Sequence, residues 1–220
     1  MKGRAKMSKR ILFQGDSITD CGRDRNNFYA MGGGYPNLVK AELGMDYPNE
    51  FEFINRGISG DRIVDVYARI KRDFINLKPD YASLLIGVNY TWHEVNIENG
   101  VDTEKFEKIY SMLLDEIFAA LPNLKLFLIS PYVLEGSGTC NTEEKPNKWE
   151  VFKADVAEKA EVVKKLAKKY NLPIVELQPE FDKACNLAPN DYWAYDGVHP
   201  TACGHELIKR AWIKMFNEIK

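Results

Sequence analysis

The sequence predicts an α/β domain in which a parallel sheet is covered by helices on both faces. Short apolar runs rich in β-branched and aromatic residues alternate along the chain with longer segments of helical period. The apolar runs are hydrophobic almost throughout, which is typical of strands that are buried on both faces. A chain of 220 residues is long enough to bury a core without disulfides or structural metals.

Five segments fit buried strands, and four further segments fit amphipathic helices. The predicted strands are Arg10 to Gln14, Phe51 to Asn55, Tyr81 to Ile86, Lys125 to Ser130 and Ile174 to Leu177. Apolar residues at helical spacing predict helices over residues 63–74, 106–121, 152–170 and 207–216. Residues 21–34 and 132–147 fit neither pattern and are predicted to be long loops. Both follow strand ends, at the edge where parallel sheets bind ligands.

Charge and hydropathy exclude several classes of partner. The formal net charge is −2 and the charges are interspersed, so no basic stripe suited to nucleic acid is present. The longest apolar runs are far shorter than the roughly 20 residues that span a bilayer, so no membrane partner is expected. We expect residues 1–9 to form an N-terminal tail that can be disordered, and residues 10–220 to form one domain.

The N-terminus and the cysteines indicate a cytoplasmic protein. The first ten residues are basic, but only three apolar residues follow them, which is too few for a signal peptide. The four cysteines are widely spaced and are expected to be free thiols in a reducing compartment. Their spacing predicts no metal site.

The first candidate for chemistry is Ser17, in the segment Gly15-Asp16-Ser17 that follows the first predicted strand. A serine at the junction of a buried strand and a turn has an exposed hydroxyl surrounded by backbone N–H groups. The same residues also fit an ordinary turn in which Ser17 or Thr19 caps a helix. This motif alone leaves both interpretations open.

A second candidate segment lies ahead of the last predicted helix. Asp196 and His199 are three residues apart there, and Pro200 disfavours helical geometry at His199, which places the imidazole on a loop. A serine nucleophile needs a histidine to take its proton and a carboxylate to orient that histidine, so this spacing fits a triad. His199 alone also fits a solvated loop histidine. His205 is the nearest alternative base and is expected to be packed or solvated on the last helix.

Two turns that follow the second and third predicted strands offer donors for an oxyanion. Gly60 can bring its backbone N–H close to a ligand, and Asn89 places an amide side chain at a strand end. Each also fits an ordinary turn between a strand and a helix. Because the carboxyl ends of parallel strands share one edge of a sheet, both are expected to lie near Ser17.

These residues, in this order and these contexts, define a known family. The chain resembles the SGNH hydrolases, also called GDSL esterases and lipases, over almost its whole length. The resemblance implies a flavodoxin-like, three-layer α/β/α sandwich with a five-stranded parallel sheet. It also implies a triad of Ser17, Asp196 and His199, and an oxyanion hole formed by the N–H groups of Ser17 and Gly60 with the Asn89 side chain. It implies no metal and no organic cofactor.

Within that family the chain is most similar to the intracellular bacterial acetylxylan esterases, through residues 15–23, 55–60 and 87–89. The similarity implies a cytoplasmic esterase that removes acetyl groups from xylo-oligosaccharides or related sugars, and it makes a homo-oligomer an expectation. One block departs from the family, where Gly-x-Asn-Asp is common. Here Tyr90 follows Asn89, so the family's role for that carboxylate does not carry over.

Side chains beside the candidate catalytic residues predict the walls of a substrate site. Tyr90, Trp92 and Tyr195 can stack on a sugar or close off a small acyl pocket, and Asp16 is a further candidate contact. His93 fits the alcohol side of the site, but it fits a partly exposed surface position better. Each aromatic residue also fits a core position. No long apolar tract indicates a lipid lid, so an acetyl group is favoured over a fatty acyl group.

Three other functions stay open on the sequence. The same site fits a thioesterase, a lysophospholipase or an aryl esterase. The Tyr90 departure fits a sugar-binding module whose hydrolase site has decayed. The alternation of strands and helices fits a nucleotide binder, but Gly32-Gly33-Gly34 follows no strand directly and so does not form a phosphate loop.

Overall fold

The computed structural model describes residues 8–220, which form a sheet of five parallel strands in the order β2-β1-β3-β4-β5. The strands are β1 (Lys9–Gly15), β2 (Phe51–Asn55), β3 (Tyr81–Leu85), β4 (Lys125–Ile129) and β5 (Ile174–Val175). In this flavodoxin-like order the direction of chain progression reverses between β1 and β3. Open α/β sheets bind ligands at such a reversal, outside the carboxyl ends of the strands.

The helices connect the strands and cover the sheet. In chain order they are α1 (Ser17–Asp20), α2 (Tyr35–Asp46), α3 (Ile63–Ala68), α4 (Ile70–Asp73), α5 (Val88–Ile97), α6 (Thr103–Ala120), α7 (Lys148–Tyr170), α8 (Leu177–Cys185), α9 (Asn190–Trp193) and α10 (Ala202–Ile219), with a 3₁₀ turn at Ile75–Leu77.

Two hydrophobic clusters lie on opposite faces of the sheet. Ile11 and Phe13 of β1 contact the cluster that α2, α8 and α10 cover, whereas Leu12 contacts the cluster that α3, α6 and α7 cover. Successive strand residues point to opposite faces, so a sheet that is covered by helices on both faces is apolar at most strand positions. The predicted three-layer α/β/α sandwich is confirmed.

The structure differs from the predicted elements at several boundaries. The helix predicted over residues 63–74 is divided into α3 and α4, and β5 ends at Val175 because Leu177 begins α8. Helices α2, α5 and α8 are not among the predicted ones. The two predicted long loops, residues 21–34 and 132–147, contain neither helix nor strand.

The predicted N-terminal tail falls mainly on residues 1–7, which lie outside the described part of the chain. Lys9 already pairs with Phe51 in the sheet, so the first strand begins one residue before the predicted domain. Between Ser8 and Lys220, no helix has the length and apolar character needed to cross a membrane.

Candidate active site

Ser17 is the first residue of α1, and a single residue, Asp16, separates it from β1. Asp16 caps this short helix, because its Oδ1 accepts the backbone N–H of Ile18 at 3.1 Å. The Asp16 carbonyl also accepts the N–H groups of Thr19 and Asp20, so within α1 the Ser17 N–H is the donor left for a ligand. The nucleophile candidate therefore lies at the carboxyl edge of the sheet, beside the chain reversal.

The structure brings Ser17, His199 and Asp196 together in one hydrogen-bonded chain. The distance from Ser17 Oγ to His199 Nε2 is 2.9 Å, and His199 Nδ1 lies 2.7 Å from Asp196 Oδ2. Because the carboxylate can only accept, Nδ1 carries the proton and Nε2 is free to accept the serine hydroxyl. This is the arrangement that a serine nucleophile and its base require.

The short segment that carries Asp196 and His199 is held as a tight hairpin. Asp196 Oδ1 accepts the backbone N–H groups of Val198 and His199, at 2.9 and 2.7 Å. The backbone N–H of Tyr195 donates to the His199 carbonyl at 3.1 Å, closing the hairpin. The carboxylate thus orients both the imidazole ring and the backbone that carries it.

The predicted loop over residues 132–147 supports this hairpin from outside. The Tyr132 hydroxyl donates to the Val198 carbonyl at 2.8 Å. The backbone N–H groups of Leu134 and Gly138 donate to the carbonyls of Gly197 and Asp196, at 2.8 and 2.9 Å. The loop therefore fixes the position of the candidate acid and base relative to the sheet.

The pKa values of the histidine and the aspartate shift in opposite directions. The hydrogen bond to Asp196 raises the pKa of His199 above its ordinary value, although burial acts in the other direction. Burial opposes ionisation of Asp196, but the hydrogen bonds from His199 and the nearby backbone outweigh it and lower the pKa of Asp196. Asp196 is thus ionised and stabilises the imidazolium that forms when His199 takes a proton.

Gly60 and Asn89, the predicted oxyanion donors, lie in the same cleft as Ser17. Gly60 has φ of +87°, a conformation that glycine adopts without strain. A Cβ atom added at this position would contact only His93 Nε2, at 3.9 Å, so the space beside Gly60 is open. The Asn89 Nδ2 group donates one N–H to the Asp61 carbonyl at 3.0 Å, which fixes the amide and leaves its second N–H for a ligand. These placements fit an oxyanion hole.

Replacing Asn89 with alanine is expected to lower kcat about 10²- to 10³-fold, or 2.7 to 4 kcal/mol, because one oxyanion donor is lost. The KM for the same ester should change little. Steady-state kinetics on an aryl acetate measure both values. Asn96→Ala is the matched control, because Asn96 lies on the same helix and bonds only to the Trp92 carbonyl at 2.9 Å. An unchanged kcat in Asn89→Ala would remove Asn89 from the site.

The cleft around Ser17 has a volume of about 420 Å³. Two of the predicted substrate contacts, Trp92 and Tyr195, line it. The Tyr195 ring lies nearly parallel to the His199 ring, with centroids 5.8 Å apart, and the Trp92 ring approaches His199 edge-on at 5.9 Å. Tyr195 is 59% exposed, so most of its ring is open to a ligand.

Two of the predicted substrate contacts are corrected by the structure. Tyr90 is 1% exposed and packs edge-on against Phe106 in the core, and its hydroxyl accepts the N–H of Val64. It follows Asn89 by about 100° around α5 and therefore points away from the cleft. Asp16 is also 1% exposed and caps α1, and burial raises its pKa to about 7. Neither side chain lines the cleft.

Several residues that line the cleft are not among the predicted site residues: Cys21, Gly22, Ser59 and Pro200. His93, for which the sequence leaves a place on the alcohol side open, also lines the cleft, and it lies four residues after Asn89 on the same helix. The alternative base His205 is packed: its Nδ1 accepts the Tyr35 N–H at 3.1 Å, and burial lowers its pKa to about 4.

A larger groove, of about 530 Å³, lies between α7 and α8 but contains none of the predicted catalytic residues. Within residues 8–220, no three His, Cys, Asp or Glu side chains are grouped so as to hold a metal ion. The smaller cleft is therefore the candidate active site, because only there do a nucleophile, a base and oxyanion donors meet.

Comparison with known proteins decides the family. The model of the GDSL-like lipase/acylhydrolase family matches residues 13–207. This chain belongs to that family. A curated relative, the acetylxylan esterase of Geobacillus stearothermophilus, is 32% identical over 220 residues, which cover 94% of this chain and 93% of the relative. The GDSL protein described here is accordingly an esterase.

Solved structures of other GDSL proteins share its fold. A protein described as a GDSL-like lipase, from Parabacteroides merdae, is 34% identical with a TM-score of 0.86, covering 97% of this chain and 99% of that one. The Geobacillus stearothermophilus acetylxylan esterase is 31% identical with a TM-score of 0.81, covering 96% and 95%. Alanine variants of that esterase at a serine, an aspartate and a histidine are described as catalytic mutants, and its aspartate and histidine are three residues apart.

Proposed function

We propose that this chain is a serine esterase that removes acetyl groups from xylo-oligosaccharides or related sugars. The observation that carries the proposal is the hydrogen-bonded chain from Ser17 through His199 to Asp196, in a cleft that also contains Gly60 and Asn89. Such a constellation forms and hydrolyses an acyl-enzyme without a metal or an organic cofactor.

The reaction begins when Ser17 Oγ attacks the ester carbonyl and His199 Nε2 takes the hydroxyl proton. Asp196 stabilises the imidazolium, while the N–H groups of Ser17 and Gly60 and the Asn89 amide bind the oxyanion. His199 then protonates the leaving alcohol, and the acyl group stays on Ser17. In the second half, His199 takes a proton from water as the water oxygen attacks the acyl carbonyl. His199 then returns this proton to Ser17 Oγ as the acyl–oxygen bond breaks, which releases the acid and restores the serine.

The cleft favours a sugar as the leaving alcohol. Because His199 protonates the leaving group, the alcohol part of the ester lies next to this ring. Tyr195 stacks beside His199 and is largely exposed, so it offers a flat apolar surface to a sugar ring. The name of the Geobacillus stearothermophilus relative, an acetylxylan esterase, supports the same substrate class.

The proposal is tested by comparing kcat/KM on acetylated xylo-oligosaccharides, an acyl-thioester, a lysophospholipid and an aryl acetate. We expect the acetylated sugars to be the best substrates. The Tyr195→Ala variant should lose more activity on the sugars than on the aryl acetate. Tyr192→Ala is the matched control, because Tyr192 is similarly exposed, at 52%, and packs on Trp193 outside the cleft.

Two results would contradict the proposal in different ways. Preferential turnover of the thioester or the lysophospholipid, without acetate release from sugars, would keep the esterase site and change its substrate. No turnover of any ester, together with no labelling of Ser17 by a fluorophosphonate, would favour a sugar-binding module. The cytoplasmic location and the homo-oligomer stay predictions.

A further inference from the structure

Asp20 is an almost completely buried carboxylate outside the candidate triad, with 2% of its surface exposed. It ends α1, three residues after Ser17, and does not line the cleft. Its Oδ2 accepts both the backbone N–H and the hydroxyl of Ser59, at 2.9 and 3.0 Å. A buried carboxylate that binds one residue twice fixes the position of that residue closely.

Ser59 directly precedes Gly60, whose backbone N–H is a proposed oxyanion donor. The Asp20 carboxylate thus connects the turn that carries the nucleophile to the loop that carries this donor. The backbones of the two segments are also in close contact. A Cβ atom added at Gly57 would lie 2.4 Å from the Asp20 nitrogen, so only glycine fits at this position. Arg23 adds a second connection, since its Nε donates to the Gly57 carbonyl at 3.0 Å.

The charge of Asp20 is balanced by two arginines, one of which contacts the same oxygen that accepts Ser59. Burial opposes its ionisation, but hydrogen bonds from Arg25 and Ser59 outweigh burial and lower the pKa of Asp20. The Arg25 guanidinium lies 2.6 Å from Oδ2, and Arg23 Nε lies 3.8 Å from Oδ1. The carboxylate can therefore act as a strong acceptor for Ser59 without placing a net negative charge behind the oxyanion site.

We propose that Asp20 is a positioning residue that holds Ser59, and through it the backbone N–H of Gly60, at the place where the oxyanion forms next to Ser17. This inference rests on the proposed esterase function. Asp20 touches no substrate and moves no proton. It acts on catalysis because small displacements of a preorganised donor weaken its interaction with the transition state.

Other contacts limit the expected size of the effect. The Ile58 N–H donates to the Gly15 carbonyl at 3.1 Å, and Arg69 bridges the Asp61 carboxylate and the Gln14 side chain, at 2.7 and 2.9 Å. Loss of Asp20 should therefore displace Gly60 without releasing the whole loop.

The test compares Asp20→Ala, Asp20→Asn, Ser59→Ala and the Asp20→Ala/Ser59→Ala double variant on an aryl acetate. In Asp20→Ala, kcat is expected to fall about 10- to 100-fold with KM nearly unchanged, because misplacement by about 1 Å can cost up to 10²-fold. Asp20→Asn keeps one acceptor for the Ser59 N–H and should recover part of kcat. Ser59→Ala removes one of the two hydrogen bonds and should lower kcat a few-fold.

The double variant separates positioning from general destabilisation. If Asp20 acts through Ser59, the double variant should have the kcat of Asp20→Ala alone, because the two losses are not additive. Asp24→Ala is the matched control: Asp24 lies on the loop that follows α1, is exposed, and accepts the Asn26 N–H at 2.9 Å. Its kcat should equal that of the wild type. In every variant that keeps Ser17, the concentration of active sites is measured by labelling Ser17 to completion with a fluorophosphonate.

Three outcomes overturn the proposal: an unchanged kcat in folded Asp20→Ala, a loss of activity that lies in KM, or additive effects in the double variant. If Asp20→Ala does not fold, the Ser59→Ala variant tests the proposal instead. An unchanged kcat in Ser59→Ala would also overturn it. The Ser17→Ala variant distinguishes failure of this inference from failure of the proposed esterase function. If Ser17→Ala is inactive while Asp20→Ala matches the wild type, this inference alone fails; if Ser17→Ala matches the wild type, the proposed function fails.

Discussion

Replacing Ser17 with alanine is expected to lower kcat by about 10⁶-fold, because the group that forms the acyl-enzyme is lost. The His199–Asp196 pair remains in this variant but has no hydroxyl from which to take a proton. Acetate release from acetylated xylo-oligosaccharides and from an aryl acetate measures the effect on both substrate types. The remaining rate should come from substrate binding and the oxyanion donors.

A second measurement identifies the nucleophile independently. A fluorophosphonate should add to the wild-type protein at Ser17 and should leave Ser17→Ala unlabelled, as seen by peptide mass. Ser111→Ala is the matched control, because the Ser111 hydroxyl contacts Tyr170 at 2.7 Å and lies outside the cleft. Equal acetate release by Ser17→Ala and the wild type would disprove the proposed mechanism.

Replacing Asp196 with asparagine is expected to lower kcat about 10⁴-fold while leaving the shape of the site intact. The carboxamide cannot stabilise the imidazolium as a carboxylate does, and it can hold the wrong tautomer of His199. Catalysis needs neutral His199, so the activity of the wild type falls as the pH drops through the raised pKa of His199. The variant lacks the group that raises this pKa, so its acidic limb should move to lower pH.

The pH profile of kcat/KM distinguishes this electrostatic role from a structural one. Asp182→Asn is the control: Asp182 is exposed, accepts the Gln178 side chain at 2.9 Å, and is absent from the cleft. It should keep both the rate and the profile of the wild type. An Asp196→Asn variant with an unshifted acidic limb would show that Asp196 does not set the pKa of His199.

The layered fold could be predicted because its signal is local. The strand Phe51–Asn55 has the predicted bounds, because Phe51, Phe53 and Ile54 form a short run of residues that favour strands. The helix α5 was not predicted, because its cleft-facing residues, such as Asn89 and His93, are polar and interrupt the apolar pattern of an amphipathic helix.

The candidate site could be predicted only where residue type and chain order carry information. The fold brings together Ser17, Asp196 and His199, and each of these residues stands in a recognisable sequence motif. The predicted contact of Tyr90 with substrate is wrong, because neighbouring residues on a helix point in different directions and Tyr90 does not share the direction of Asn89. The binding of Ser59 by Asp20 could not be predicted, since it depends on how two loops pack and has no motif.

Ser17 and His199 are 182 positions apart in the sequence, and this separation has a consequence for folding. Asp196 and His199 can meet within a local hairpin at little entropic cost, whereas the contact of His199 with Ser17 closes a loop that spans most of the protein. Esterase turnover therefore reports the last stage of assembly, when both ends of the chain have docked on the sheet. During refolding, regain of activity should mark the completed native state more strictly than helix content does.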